Sequence, residues 1–274
     1  MPRNLTNRTL FIALLLVPGL GARAQSIGNR QSPIDISGPV RLDPQAPAFE
    51  DIAQLRLPKG FLLRNTTGYR LADNRWASLK AYPEPASAAA EIKFGGVDYK
   101  LDEFHFHTPS EHLVNGQVTE MEVHFVFANE HAAPCSASQL LVVGQRITKG
   151  AANTELNKIF GPTVSLPPQY GVFTKVDNFT VMNVLTGLDD SYRYPGSLTA
   201  PVNPEHLGGC PNPPGGETQQ LVSGQLPEVV SWVVLRQTIQ MSEAQLARFH
   251  ALFPNGDARG PQALKGRAIT KTKD

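Results

Sequence analysis

Short runs of apolar, often β-branched residues recur through the middle of the chain, and turn-forming residues separate them. Runs of this length and composition are typical of β-strands rather than helices. Because strands do not alternate with long helical segments, a doubly wound parallel sheet is disfavoured. The pattern predicts a mainly β (α+β) fold with a large, mostly antiparallel sheet. The predicted strands are residues 89–94, 101–107, 121–127, 140–145 and 229–235.

One helix is signalled near the end of the chain. Ser242 can cap its first turn, and Gln245 occupies the second position of a capping box. Pro254 ends the pattern. By contrast, residues 201–228 are rich in proline and glycine and predict a long loop, which in a compact domain is usually functional or mobile.

The first 24 residues have the layout of a cleaved secretory signal peptide. A basic start precedes an apolar run over residues 10–17, and small residues allow cleavage before Gln25. A membrane anchor is the alternative, but this run is too short to span about 30 Å of hydrocarbon. We therefore predict export, to the periplasm or the medium, no stable membrane insertion, and a single domain over residues 25–274.

Composition and charge narrow the choice of partner. The chain has 274 residues, of which 41% are hydrophobic and 18% charged, which is sufficient for one sizeable core. Residues 1–24 hold three of the 25 basic residues and none of the 24 acidic ones, so the mature net charge is 22 − 24 = −2. No basic stripe points to nucleic acid or to an anionic membrane. The expected partner is a small molecule without strong charge.

Two neighbouring predicted strands carry three histidines in phase. Side chains alternate along a strand, so His105 and His107 share one face, and Glu122 and His124 share a face of the next strand. A turn at Asn115-Gly116 brings the two strands together as an antiparallel pair. The three imidazoles are therefore expected to converge.

Three histidines leave one position of a tetrahedral zinc ion open for water, which is the catalytic arrangement. Imidazole also suits copper, nickel and iron, so zinc is an inference from ligand type and number. Glu103 and Glu122 each precede a histidine by two residues on the same face, where they can accept its other N–H. A lone histidine is more often structural, but three in phase with two glutamates favour a metal site, since unpaired buried carboxylates are costly. The remaining candidates are interpreted as loop histidines that bind no metal: His112, His131 and His206.

Cys135 and Cys210 are the two cysteines of the chain. In an oxidising compartment they are candidates for one disulfide, and two separate thiols are the alternative. No C-x-x-C pair is present to complete a metal site.

Six motifs occur in the order found in α-class carbonic anhydrases, and the chain resembles that family over residues 29–267. The resemblance implies a central twisted, mainly antiparallel sheet with short peripheral helices, and zinc (Zn²⁺) at the base of a conical cavity. It implies reversible hydration of carbon dioxide to bicarbonate and a proton by zinc-bound hydroxide. The motifs are QSPIDI (31–36), FHFHTPSEH (104–112), EVHFVF (122–127), YPGSLT (194–199), VSWVVL (230–235) and LKGR (264–267).

The resemblance also implies roles for individual residues. Thr199 would be a gatekeeper that accepts a hydrogen bond from the nucleophile and donates its own to Glu111. Ordinary core packing is the alternative for the residues that resemble the apolar wall receiving CO₂. Those residues are Val126, Val142, Leu198, Val230 and Trp232.

Several positions depart from the family pattern. Tyr69 stands where the most active members carry a proton-shuttle histidine, and Ala200 replaces a second threonine after Thr199. Glu103 stands where many members have glutamine. The family's N-terminal cysteine is missing, which leaves Cys135 as the only candidate partner for Cys210, and residues 201–228 lengthen the loop after Thr199. A non-catalytic binding module that keeps zinc is the alternative function, and hydrolysis of activated esters is a third.

Overall fold

The computed structural model describes residues 28–69, 76–85, 90–210 and 215–274. The predicted signal peptide, residues 1–24, lies outside the described residues. Within the described ranges, no helix has the length and apolarity that a membrane crossing requires.

The architecture is mostly β, as the apolar pattern predicts. The described part of the chain holds seventeen strands. In chain order they are β1 Asp35–Ile36, β2 Val40–Leu42, β3 Phe49–Glu50, β4 Arg56–Leu57, β5 Phe61–Asn65, β6 Leu79–Pro83, β7 Glu91–Phe94, β8 Val97–His107, β9 Leu113–Val114, β10 Met121–Ala128, β11 Leu140–Lys149, β12 Phe173–Val176, β13 Phe179–Thr180, β14 Ser191–Gly196, β15 Val230–Leu235, β16 Ile239–Met241 and β17 Ile269–Lys271. Among the same residues there are three short α-helices: α1 Asn157–Phe160, α2 Gly216–Ser223 and α3 Glu243–His250.

One large sheet organises the molecule, with its main strands in the order β12-β5-β6-β8-β10-β11-β15-β14-β17-β2. Among the described strands of this sheet, parallel pairing occurs only between β11 and β15, β11 and β16, and β17 and β2. The prediction of a large, mostly antiparallel sheet is confirmed. β8, β10 and β11 are the longest strands and lie side by side near its centre.

Alternation along the central strands divides the buried residues between two faces. Phe104, Phe106 and Phe125 pack into the larger core on one face. Val126 and Trp232 belong to a separate apolar cluster on the other face, together with buried residues of the 201–210 segment. Because β10 alternates, His124 lies on the same face as Val126.

The predicted strands are present, with some ends displaced. β8 begins at Val97 rather than at residue 101. Charged Asp98 and Lys100 flank buried Tyr99, so the first part of the strand alternates polar and apolar residues and is not part of the continuous apolar run on which the prediction was based. α3 begins after Ser242, whose side chain accepts the Gln245 N–H in a capping box, as predicted.

The prediction of one long loop over residues 201–228 is wrong in part. Residues Pro204–Leu207 form a 3₁₀ turn and Gly216–Ser223 form α2. Among the residues of α2, only Gln220 is buried, so this helix has no apolar stripe that a periodicity search would detect.

Candidate active site

The pairing of β8 with β10 sets the geometry of the site. His105 lies directly opposite His124, and His107 lies opposite Glu122. The ring centroid of His105 is 4.8 Å from that of His107 and 5.2 Å from that of His124, and the His107 and His124 centroids are 4.9 Å apart. The predicted convergence of the three imidazoles is confirmed.

Each of these histidines offers one nitrogen to a common point, and the three nitrogens lie within 4.8 Å of one another. Nδ1 of His105 is hydrogen-bonded to Glu103, which leaves Nε2 of His105 available as a metal ligand. Both nitrogens of His107 and of His124 are buried without a hydrogen-bond partner. Nδ1 of His107 faces Asp257 and Nε2 of His124 faces Glu122, which leaves Nε2 of His107 and Nδ1 of His124 as the candidate ligand atoms. Buried polar atoms are seldom left unpaired, so these orphaned nitrogens and their imidazole chemistry fit a divalent metal ion such as zinc.

A second group, His112, Glu122 and His124, also brings candidate ligand atoms together. Its atoms are already partnered: Nδ1 of His112 lies 2.8 Å from Glu122, whose other oxygen accepts the His112 backbone N–H. The first group is therefore the better candidate for a metal site.

Burial and neighbouring carboxylates set the protonation of the candidate ligands. Burial lowers the pKa of His105 to about 4 despite the opposing effect of Glu103, and it lowers the pKa of His107 well below its ordinary value. For His124, burial would also lower the pKa, but Glu122 and Glu111 outweigh it and the net direction is upward. A metal ion must therefore compete with a proton at His124.

Glu103 orients His105 and is itself paired with a lysine. Its oxygens lie 2.9 and 3.0 Å from Nδ1 of His105, and Lys80 donates to it at 3.2 Å. Burial alone would raise the pKa of Glu103, but His105 and Lys80 hold it at about 2. Sequence reasoning missed Lys80. Its register opposite His105 on β6 could be assigned only after the β6–β8 pairing was known.

Glu122 contacts the other side of the His124 ring, where its Oε1 lies 3.0 Å from Nε2 of His124. His112, interpreted above as a loop histidine, is fully buried and links Glu122 to Tyr194, whose hydroxyl lies 2.6 Å from Nε2 of His112. His112 is therefore a core residue rather than an exposed loop histidine. Gly144 faces this group, and a Cβ there would lie 2.6 Å from Glu122, so glycine leaves room for the carboxylate.

A third carboxylate faces His107. Oδ2 of Asp257 lies 3.7 Å from Nδ1 of His107, while Oδ1 accepts the Thr108 backbone N–H at 2.8 Å. Burial raises the pKa of Asp257 well above its ordinary value. Asp257 was also missed, since it lies beyond α3 in a segment without strand or helix periodicity.

Thr199 and Glu111 lie together beside the three histidines. Oε1 of Glu111 accepts a 2.8 Å hydrogen bond from the Arg259 backbone N–H, and hydrogen bonding by the Thr199 side chain also lowers the pKa of Glu111. Its Oε2 lies 3.5 Å from Nε2 of His107 and 3.7 Å from Nδ1 of His124. Burial raises the pKa of Glu111 to about 7, against the effects of His124 and of these hydrogen bonds.

An apolar wall adjoins the histidines on the same face. Val126 lies opposite Val142, and Val142 lies opposite Trp232, across three consecutive strands of the sheet. Val230 belongs to the same cluster, with Leu198 packed against it. The Trp232 ring lies 4.8 Å from that of His124, and its Nε1–H donates to the Ser197 carbonyl. Ala200 is half-buried directly after Thr199.

Comparison with known proteins identifies the family. The model of the eukaryotic-type carbonic anhydrases matches residues 22–206. The chain belongs to this family. The relatives and solved structures agree. A carbonic anhydrase of Klebsiella pneumoniae is 32% identical over 184 residues, which are 67% of this chain and 62% of that protein. Carbonic anhydrase 1 of Oryctolagus cuniculus is 27% identical over 266 residues, which are 88% of this chain and 98% of that one.

Solved carbonic anhydrase structures share the fold. An α-carbonic anhydrase from Thermovibrio ammonificans, solved with the inhibitor sulfanilamide, superposes with a TM-score of 0.65 at 25% identity, over 89% of this chain and 88% of that chain. A hyperthermostable carbonic anhydrase from a hydrothermal vent chimney gives a TM-score of 0.64 at 26% identity, over 90% and 89% of the two chains.

Of the positions that depart from the carbonic anhydrase pattern, Glu103 contacts His105 directly, whereas Tyr69 lies on the surface. Tyr69 is 50% exposed and stacks on Tyr170 with 4.5 Å between ring centroids.

His131 and His206 are exposed loop or turn residues, in agreement with their interpretation as loop histidines. Of the two alternatives for the cysteines, the structure has the disulfide.

Proposed function

We propose that this protein catalyses the zinc-dependent, reversible hydration of carbon dioxide to bicarbonate and a proton. The observation that carries the proposal is the convergence of His105, His107 and His124, two of which present buried nitrogens without a partner. Family membership supports the same reaction. The low charge expected of the substrate agrees with an apolar wall beside these histidines.

The three histidines would hold zinc through Nε2 of His105, Nε2 of His107 and Nδ1 of His124. When bound, the ion supplies a Lewis acid that makes water a nucleophile near neutral pH. Two neighbouring carboxylates would keep the ligand rings in the orientation that zinc binding needs. Glu103 and Glu122 fix the rings of His105 and His124, as side chains behind metal ligands usually do.

Thr199 and Glu111 orient the nucleophile in this proposal. The Arg259 backbone N–H donates to Oε1 of Glu111 and holds its carboxylate in place. An ionised carboxylate can only accept hydrogen bonds, so the Thr199 hydroxyl would donate to Glu111 and its own oxygen would remain an acceptor. The Thr199 oxygen would accept a hydrogen bond from the nucleophile and so direct the nucleophile's lone pair toward the substrate. This is catalysis by orientation. The wall formed by Val126, Val142 and Trp232 would receive the apolar substrate. Leu198, Ala200 and Val230 would complete its surface.

We further propose that residues 1–24 direct export and that residues 25–274 are the catalytic domain. The basic and apolar pattern of the first residues supports export to the periplasm or the medium. The Cys135–Cys210 disulfide supports it independently, because disulfides persist mainly in oxidising compartments.

The decisive experiment is stopped-flow CO₂ hydration by the mature protein before and after removal of zinc with a chelator, with an ester assay in parallel. We expect activity that disappears with zinc and returns on its addition. His124→Ala should lose both zinc and turnover, whereas His250→Ala, a change at an exposed histidine of α3, should lose neither. A zinc-loaded protein at the uncatalysed rate would overturn the proposal in favour of a binding module, and ester turnover alone would favour a hydrolase.

A further inference from the structure

Residues 201–210 begin two positions after Thr199 and are fixed at both ends. At the first end, the Val202 backbone N–H donates to Gln220 at 2.9 Å, and the Gln220 amide donates back to the Val202 carbonyl at 3.0 Å. At the second end, the disulfide joins Cys210 to Cys135. Gln220 is buried, so this reciprocal pair is protected from competing water.

Between the two anchors, the 3₁₀ turn Pro204–Leu207 brings an apolar side chain to the sheet. Leu207 is only 3% exposed and belongs to the apolar cluster of Val126, Val142 and Trp232. Val126 lies on the β10 face that carries His124, so Leu207 packs on the same face as the candidate metal ligands. The segment therefore lies against the wall assigned to the substrate.

The side chains of the apolar wall are almost completely buried. Val126 is 5% exposed, Val142 1% and Trp232 2%. Thr199 is 5% exposed. Apolar side chains buried to this degree leave little space for a bulky ligand, since a packed interior accommodates extra groups only by displacing its neighbours.

We propose that residues 201–210 form a cover over the apolar wall, with Leu207 as a specificity-determining residue that admits small substrates and excludes bulky ones. The inference rests on the proposed function, because it assigns the covered wall to the substrate. The excluded class is activated esters with long acyl chains. Carbon dioxide and short acetyl esters are the admitted class.

Leu207→Ala removes the apolar contact while leaving both anchors in place. We expect the ratio of kcat/KM for a butyrate ester to that for the matching acetate ester to rise about tenfold, the scale on which a methylene or two changes selectivity in an apolar pocket. Val222→Ala is the matched control, since Val222 lies on α2 and is 78% exposed. It should leave the ratio unchanged. An unchanged ratio in a folded, zinc-loaded Leu207→Ala protein would overturn the inference.

A second variant and a second readout separate this inference from the proposed function. Cys135→Ser with Cys210→Ser releases one anchor and should raise the ratio in the same direction. Independently of turnover, a Val126→Cys thiol should react with a maleimide several-fold faster in the Leu207→Ala background than in the background with Leu207. Equal alkylation rates would refute the cover even in a protein without activity. Absence of CO₂ hydration with accelerated alkylation would refute only the proposed function.

Discussion

Nδ1 of His112 lies 2.8 Å from Oε1 of Glu122, and both side chains are fully buried. The same carboxylate oxygen lies 3.0 Å from Nε2 of His124. Glu122 thus connects His124, a candidate metal ligand on β10, to His112, which lies in the loop that follows β8. Burial alone would raise the pKa of Glu122, but His112 and His124 outweigh it, and the pKa lies well below its ordinary value.

Replacing His112 with alanine should destabilise the fold strongly. The change leaves the Glu122 charge buried without one of its partners, which costs about 3–5 kcal/mol when one member of a buried pair is removed. Denaturant unfolding of the metal-free protein measures it. His131→Ala, at an exposed histidine, should change stability by no more than about 0.5 kcal/mol. Equal stability of the two variants would contradict the structural role of His112.

Sequence reasoning succeeded where a local pattern carries the geometry. Alternation along β8 and β10 is sufficient to place His105 and His107 on one face and to bring His124 opposite. The same alternation placed Glu103 and Glu122 beside them. Each of these residues lies either two positions from its partner on one strand or on the neighbouring strand of one hairpin. The local sequence was therefore sufficient to place them.

It failed where partners are distant in sequence or lie outside periodic segments. Lys80 reaches Glu103 from a strand 23 residues earlier, and Asp257 reaches the Thr108 backbone from 149 residues later. His112 follows Pro109 in a loop, where no period distinguishes a buried side chain from an exposed one. α2 was missed for a related reason, since Gln220 is its only buried residue.

Glu103→Gln should weaken zinc binding about tenfold or more. The amide still accepts the His105 N–H but loses its charge, and the Lys80 cation is left without its counter-charge near the metal. Adding Lys80→Met to Glu103→Gln removes that cation and should restore part of the affinity. Competition with a chelating dye measures both. A double variant that binds zinc more weakly than Glu103→Gln alone would show that charge balance is not the reason.

Glu155 makes stability depend on pH at a site remote from the histidines. It accepts hydrogen bonds from Lys158 and from the Thr180 backbone, both at 2.7 Å, and from Asn183 at 2.9 Å. Burial would raise the pKa of Glu155, but these partners outweigh it and lower the pKa below its ordinary value. A lowered folded-state pKa contributes stability above the unfolded-state pKa, and this contribution is lost as the pH falls through the folded-state pKa.

Glu155→Gln should therefore be less stable than the parent protein by about 1–3 kcal/mol at pH 7. The difference should shrink as the pH falls below about 4, because the parent glutamate then becomes protonated as well. Urea unfolding at pH 7 and at acidic pH measures this difference, with the exposed Glu91→Gln as control. A difference that stays constant between the two pH values would show that the charge of Glu155 contributes nothing.

The disulfide should stabilise the fold substantially. Cys135 and Cys210 are 75 residues apart in sequence, and closing a loop of this size lowers the entropy of the unfolded chain by an amount worth about 4 kcal/mol in the chain-entropy model. The double serine variant should lose stability of that order in urea unfolding. The parent protein with its disulfide reduced should match it. Stability unchanged by either treatment would mean that the cross-link offsets its entropic gain by strain.

Proton removal should limit turnover if Tyr69 takes the position of the family's shuttle histidine, as the sequence resemblance implies. A phenol is a poor proton carrier near neutrality, whereas imidazole titrates there. Tyr69→His should raise kcat several-fold in dilute buffer and leave kcat/KM unchanged, since proton export follows the chemical step. Added imidazole should accelerate the parent protein more than the variant. Tyr170→His is the matched control, because Tyr170 stacks on Tyr69 and is 54% exposed. If imidazole has no effect on the parent protein at any pH, proton transfer does not limit this enzyme and the identity of residue 69 is immaterial to its rate.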